Sequence, residues 1–136
     1  MSQRVRALVV ADELHPLESL REALRDVSVD TSSARTREEA KRLLTQTKPD
    51  LIFTTTSVSD GSWSDVVDLA EKAINPCDVI VVSPTTDVKF YLSAIERGAF
   101  DFMVPPFERA PLNHIVRSGW LDVQKRRQTL ARPANA

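Results

Sequence analysis

A chain of 136 residues is the size of one domain, able to bury roughly two thirds of the surface it exposes when unfolded. Its 18 basic and 19 acidic residues leave a formal net charge of -1, which excludes a whole-surface field for nucleic acid or acidic lipid and leaves only local patches open. The single Cys77 excludes an internal disulfide and a cysteine-built zinc site, and "MSQRVRALVVADE" holds too short an apolar run for a signal peptide or a membrane span, so a reducing cytoplasm is expected.

In chain order, "RALVVA" (6–11) is a short, β-branched, nearly continuous apolar run, as expected of a strand covered on both faces. "PLESLREALRDV" then places Leu17, Leu20, Leu24 and Val27 on one helical stripe, with Pro16 suited to the first turn. "VSVDTS" (27–32) reads as a weaker strand at a sheet edge. "TREEAKRLLTQT" opens with Thr36 three residues before Glu39, the spacing of a capping box, and buries Ala40, Leu43 and Leu44.

"DLIFTT" (50–55) is a second buried strand type, followed by "SWSDVVDLAEKAI", whose helical stripe is Trp63, Val66, Val67, Ala70 and Ile74. "DVIVVS" (78–83) is a third, and "DVKFYLSAIERG" a helix ending at Gly98 as C-cap. "FDFMV" (100–104) is the fifth strand. "ERAPLNHIVRSGWLDVQKRR" is the last helix, with Leu112, Ile115, Val116 and Val123 apolar. A domain over residues 4–125 is expected, with residues 126–136 as a basic, disordered tail.

Five strands alternating with five helices give an α/β fold, doubly wound, with right-handed crossovers and a parallel sheet between two helical layers. Ligands in such sheets bind at the carboxyl ends of the strands. The residues to inspect are therefore Ala11, Asp12 and Glu13; Thr55, Thr56 and Ser57; Ser83 and Pro84; Pro105 and Pro106.

At those positions the chain resembles the receiver domains of two-component response regulators, and the resemblance covers residues 4 to about 125. "ALVVADE", "KPDLIFTTTSVSDGSW", "VIVVSPTTDV" and above all "AIERGAFDFMVPPF" carry it, each in register with the strand–helix alternation. The resemblance implies a CheY-like, flavodoxin-like (βα)5 three-layer sandwich with strand order 2-1-3-4-5. It also implies a phosphorelay pocket, in which a partner kinase transfers a phosphoryl group to an aspartate. That chemistry needs a carboxylate nucleophile, Mg²⁺ on hard oxygen ligands, and a cation with oriented donors for the transferred charge.

Residue by residue, the phosphoacceptor position falls on Thr55, which cannot form an acyl phosphate. Ala11 takes the place of the first member of the acidic pair, leaving Asp12, with Glu13 beyond it. The family lysine falls on Pro105. Ser83 matches the switch Ser/Thr, but Pro84 after it has no N–H to offer a phosphoryl oxygen. Phe102 occupies the switch-aromatic position, with plain core packing an equal reading. In the family the bond after the lysine is typically cis; here it joins Pro105 to Pro106.

Four differences, each removing a different part of the mechanism, imply a pseudo-receiver that no longer performs phosphoryl transfer. Neither an enzyme nor a metal site is expected. No cofactor is expected either: Mg²⁺ on Asp12, helped by Glu13, is the alternative, disfavoured because Mg²⁺ rarely sits on a lone carboxylate without phosphate. Asp60 in "SVSDGSW" reads as turn chemistry before it reads as a substitute acceptor. His15 and His114 read as loop and helix-face residues, and Trp120 suits either a protein contact or the core.

The expected function is a phosphorylation-independent protein–protein interaction or dimerisation module. The family's face of helix four, strand five and helix five spans about Asp87–Arg97, Phe100–Val104 and Arg109–Arg127 here, and would take another signalling protein or a second copy. Direct nucleic-acid binding is not expected from Lys125–Arg127 with Arg132, and no membrane contact is expected. Two alternatives remain: a receiver still active in phosphorelay through an altered Mg²⁺/phosphate site built on Asp12, Glu13 or Asp60, and a small-ligand sensor using Thr55, Ser57 and Ser83.

Overall fold

The computed structural model describes residues 4–131, apart from the side chains of residues 14, 15 and 131. In chain order the elements are β1 (Val5–Val10), α1 (Leu14–Asp26), β2 (Val29–Ala34), α2 (Arg37–Thr47), β3 (Leu51–Thr55), β4 (Ser57–Val58), β5 (Gly61–Ser62), α3 (Trp63–Lys72), β6 (Asp78–Val82), α4 (Val88–Arg97), β7 (Asp101–Met103) and α5 (Arg109–Ala131). Five strands form one parallel sheet in the order β2-β1-β3-β6-β7, which is 2-1-3-4-5 when the sheet strands alone are counted. The weak second strand lies at the edge, as its mixed composition predicts.

Alternation along the strands divides the core in two. Ala7, Val9, Leu51, Phe53, Ile80 and Val82 point to one face, where Leu17, Leu20 and Leu24 of α1 and Leu112, Ile115 and Val116 of α5 cover them. Leu8, Val10, Ile52, Val79 and Val81 point to the other, under Ala40 of α2, Val66, Val67 and Ala70 of α3, and Ala94 of α4. Gly119 lets α5 lie close on the sheet, because a Cβ there would stand 2.7 Å from Leu51 Cδ2.

Local signals set the helix ends. Thr36 Oγ1 accepts from Glu39 N at 3.1 Å, as the spacing predicts, and Asp87 Oδ1 accepts from Lys89 N and Phe90 N to start α4. Gly98 ends α4 at φ +125°.

Three expectations are corrected. The second strand runs over Val29–Ala34 and not 27–32, because α1 continues to Asp26, Val27 caps it, and Ser28 turns the chain at φ 64°. Ile74 is not on the buried stripe of α3: the helix stops at Lys72, Ala73 is extended, and Ile74 is 95% exposed. The last helix does not give way to a tail at 126 but continues to Ala131.

Long-range ion pairs hold that extension. Arg127 Nη1 donates to Asp50 Oδ1 at 2.7 Å, and Arg126 Nη2 to Asp78 Oδ1 at 2.6 Å. Residues 132–136 lie outside the described residues. The two-residue pair β4–β5 is an antiparallel hairpin that the apolar pattern did not announce.

Candidate functional site

Parallel pairing brings the strand tips together. Val10 stands beside Thr54, Thr55 beside Val82, and Val82 beside Met103, so the loops leaving β1, β3, β6 and β7 surround one cavity of about 440 Å³. Asp12 and Glu13, Thr55, Thr56 and Ser57, Ser83 and Pro84, and Pro105 line it, joined by Pro16, Ser19, Val82 and Phe107.

Ala11 is buried at the end of β1, its N–H donating to Ala34 O at 2.9 Å, and it contributes no polar atom. Asp12 follows, half-buried, with its carbonyl accepting from Arg35 Nη2 at 2.8 Å. Glu13 is exposed at the N-cap of α1 and makes no side-chain cap.

The Thr55 hydroxyl is turned into its own loop. It donates within reach of Ser57 O at 3.1 Å and Val10 O at 3.4 Å. Ser83 is buried, donates to Thr85 O at 2.9 Å and accepts from Thr85 N at 3.3 Å. Both hydroxyls therefore serve the loops that carry them.

Pro105 and Pro106 are joined by a cis bond, as the resemblance leads one to expect, and Phe107 follows against the cavity and the α1–α5 core. No lysine or arginine is among the residues lining this cavity. Its wall is two carboxylates, a set of hydroxyls, and an apolar surface in which proline recurs. Among the described residues no three His, Cys, Asp or Glu side chains come together to hold a metal ion. Asp12 and Glu13 are the carboxylates among the residues lining this cavity, and Thr55 contributes a hydroxyl.

Phe102 is not brought to the cavity. It is half-buried under α4, its ring 5.6 Å from Phe90 and 5.8 Å from Tyr91, and Phe90 continues to Trp63 at 5.5 Å. Asp60 is also elsewhere: its carboxylate accepts from Arg37 N at 2.7 Å and Glu38 N at 3.2 Å, capping α2. The hydrogen bond from Arg37 N is the main reason its carboxyl lies below the usual carboxylate range. The turn reading of Asp60 missed this cap, since its partners lie 23 and 22 residues away.

His114 is exposed on α5 and Trp120 is half-buried there, while the His15 side chain lies outside the described residues. Sequence reasoning also missed Arg35 and Phe107. Nothing local to Arg35 announces a bond to Asp12, whereas Phe107 follows the proline pair that turns the chain over the cavity.

The comparisons with known proteins agree with this geometry. The family model described as the response regulator receiver domain matches residues 7–117. The response regulator protein PilR of Pseudomonas aeruginosa is 32% identical over 113 residues, covering 83% of this chain and 25% of that protein. The transcriptional regulatory protein PrrA of Mycobacterium leprae is 34% identical over 107 residues, covering 79% of this chain and 46% of that protein. The chain thus spans a quarter to just under half the length of these relatives. A CheY-like receiver domain protein from Methanospirillum hungatei shares the fold, with a TM-score of 0.77, 17% identity, and coverage of 91% of this chain and 99% of that one.

Proposed function

Since this chain belongs to the response regulator receiver domain family of two-component signalling, we propose that it is a divergent receiver that signals without phosphorylation, as a protein–protein interaction or dimerisation module. One observation carries the reading. The cavity at the strand tips presents Thr55 where an acyl phosphate would need a carboxylate, and it is lined by Pro84 and Pro105 where an N–H donor and a cation would face a phosphoryl group. Hydroxyls that hydrogen-bond their own loops and prolines that cannot donate leave a phosphoryl group without nucleophile, counter-ion or metal.

In this reading the domain is not an enzyme, needs no Mg²⁺ or other cofactor, and works in the cytoplasm. No described helix is long and apolar enough to cross a membrane.

The interaction surface is the face of α4, β7 and α5. Val88, Tyr91, Leu92 and Ile95 recur along α4 at helical spacing and are exposed by 68%, 41%, 52% and 37%. An apolar stripe on the outside of a helix is the kind of surface a protein partner covers. Phe102 lies behind it, its ring 5.8 Å from Tyr91 and 5.6 Å from Phe90. The partner is another signalling protein or a second copy, and it binds through protein and not through nucleic acid.

The test is incubation with Mg²⁺ and radiolabelled acetyl phosphate, beside sedimentation of the wild-type domain and of Leu92→Glu. The reading predicts no covalent label. Metal-dependent label on any of Asp12, Glu13 or Asp60 would favour a receiver with an altered site and overturn it. The hydroxyl-lined cavity of about 440 Å³ is also large enough for a small ligand. A ligand-dependent rise in melting temperature, lost on filling the cavity with Ser83→Leu, would favour a sensor.

A further inference from the structure

At the opposite end of the sheet from the strand tips, α2 and α3 both end, and a groove of about 350 Å³ opens between them. Leu44 of α2 and Leu69 of α3 form its apolar floor, half-buried against the core beneath. Ile74 stands at its side, 95% exposed. Lys41, Lys48 and Lys72 also line it, and no carboxylate does. Among the described residues none of the three lysines makes a salt bridge.

Helix ends account for part of this. The C-terminus of a helix carries partial negative charge, which favours a cation such as Lys72 in the last turn of α3 or Lys48 at the C-cap of α2. That account does not reach Lys41, which lies in the first half of α2, and it does not explain why a large aliphatic side chain stands free beside the groove.

The local chemistry also narrows the ligand. Of the arginines beside it, Arg4 is answered by Asp30 at 2.9 Å and Arg127 by Asp50 at 2.7 Å, while the Arg6 guanidinium donates to Thr47 O at 3.4 Å and adds to the positive charge of the groove's own lysines. A patch this small is short of what a nucleic-acid backbone or a lipid surface requires, and neither would use an aliphatic floor of this depth.

We infer that the α2–α3 groove is a second docking site, one that takes an acidic segment of a partner protein carrying a large apolar side chain between its carboxylates. The apolar side chain enters over Leu44 and Leu69 beside Ile74, and the carboxylates meet Lys41, Lys48 and Lys72. Charge complementarity supplies orientation and the buried apolar anchor supplies most of the affinity. None of the α4 stripe residues Val88, Tyr91, Leu92 and Ile95 lines this groove, so the two surfaces are distinct.

The probe is a short synthetic peptide of alternating glutamate and leucine, added to the isotope-labelled domain and followed by amide NMR. Saturable shifts at Lys41, Lys48, Lys72 and Ile74 are expected. Binding should weaken at least about tenfold in the triple variant Lys41→Glu, Lys48→Glu, Lys72→Glu and separately in Ile74→Ser. All four positions are on the surface, so an unchanged melting temperature verifies that these variants fold.

Leu92→Glu should leave peptide binding untouched, which separates this site from the α4 face. Equal binding of a peptide with serine in place of leucine would reduce the effect to diffuse charge and overturn the inference. So would absence of groove shifts, binding to phosphatidylserine vesicles in place of the peptide, or concentration-dependent groove shifts with no peptide, which would assign the surface to lipid or to a second copy.

Discussion

Asp78 stands at the start of β6 with its carboxylate 8% exposed. Arg126 Nη2 donates to Oδ1 at 2.6 Å, yet Oδ2 is buried without a partner, and Asp122, 3.4 Å from Arg126 Nε, brings a second carboxylate alongside. Burial first, and the Asp122 carboxyl second, outweigh the guanidinium and push Asp78 from 3.8 up to about 7. The folded state therefore holds a proton that the unfolded chain has already released between those values. Stability contributed by that proton is complete below about pH 4 and is lost as the pH rises to about 7. Asp78→Asn removes the ionisation while keeping an acceptor for Arg126. Urea unfolding from pH 4 to 9 should show the wild type losing stability across this window and the variant following a flatter curve. Parallel curves would contradict the assignment.

The same arginines decide where the last element ends. Lys125–Arg127 has the composition of a solvated tail, and the nearest acid, Asp122, pairs with Arg126 and not with Arg127. Its partners come from far along the chain. Arg127 is bonded to Asp50, 77 residues away, to Pro49 O at 3.3 Å, and to Pro76 O at 3.0 Å from Nη2. Asp50 is only 10% exposed, and its other hydrogen-bond donor is Arg6 N at 2.9 Å.

Removing the guanidinium leaves a buried carboxylate half satisfied, so Arg127→Ala should cost about 2 kcal/mol and speed amide exchange in the last turns of α5. Arg127→Lys should recover only part of this, because an ammonium lacks the planar fork that reaches Asp50 and both carbonyls. A loss under about 0.5 kcal/mol in unfolding experiments would mean that packing, through Val123 and its neighbours, holds the extension alone. The elements as a class were legible because strands covered on both faces and helices covered on one leave different apolar periods. Their ends were not, wherever a turn residue such as Ser28 or a distant ion pair settled the boundary.

At the scale of the whole molecule, a parallel sheet gathers every strand tip at one edge, which is why four short stretches of sequence could identify one cavity. Asp12, Glu13, Thr55, Ser83, Pro84 and Pro105 do meet there. Phe102 does not, because alternation along β7 turns it under α4. The lysine groove at the other end was hidden for the converse reason: its parts come from two helices and a loop, and Ile74 fits the stripe of α3 until the helix is seen to stop before it.

The proposed function makes this a receiver scaffold that keeps its tertiary frame while its phosphoryl-transfer groups are replaced. The amide spectrum of the domain, recorded with and without Mg²⁺ and beryllofluoride as a mimic of an aspartyl phosphate, tests this most directly. A silent pocket predicts unchanged resonances at Asp12, Thr55 and Ser83 and across α4 to α5. Saturable, metal-dependent shifts at those positions would contradict it and show that other groups on this chain still hold a phosphoryl group.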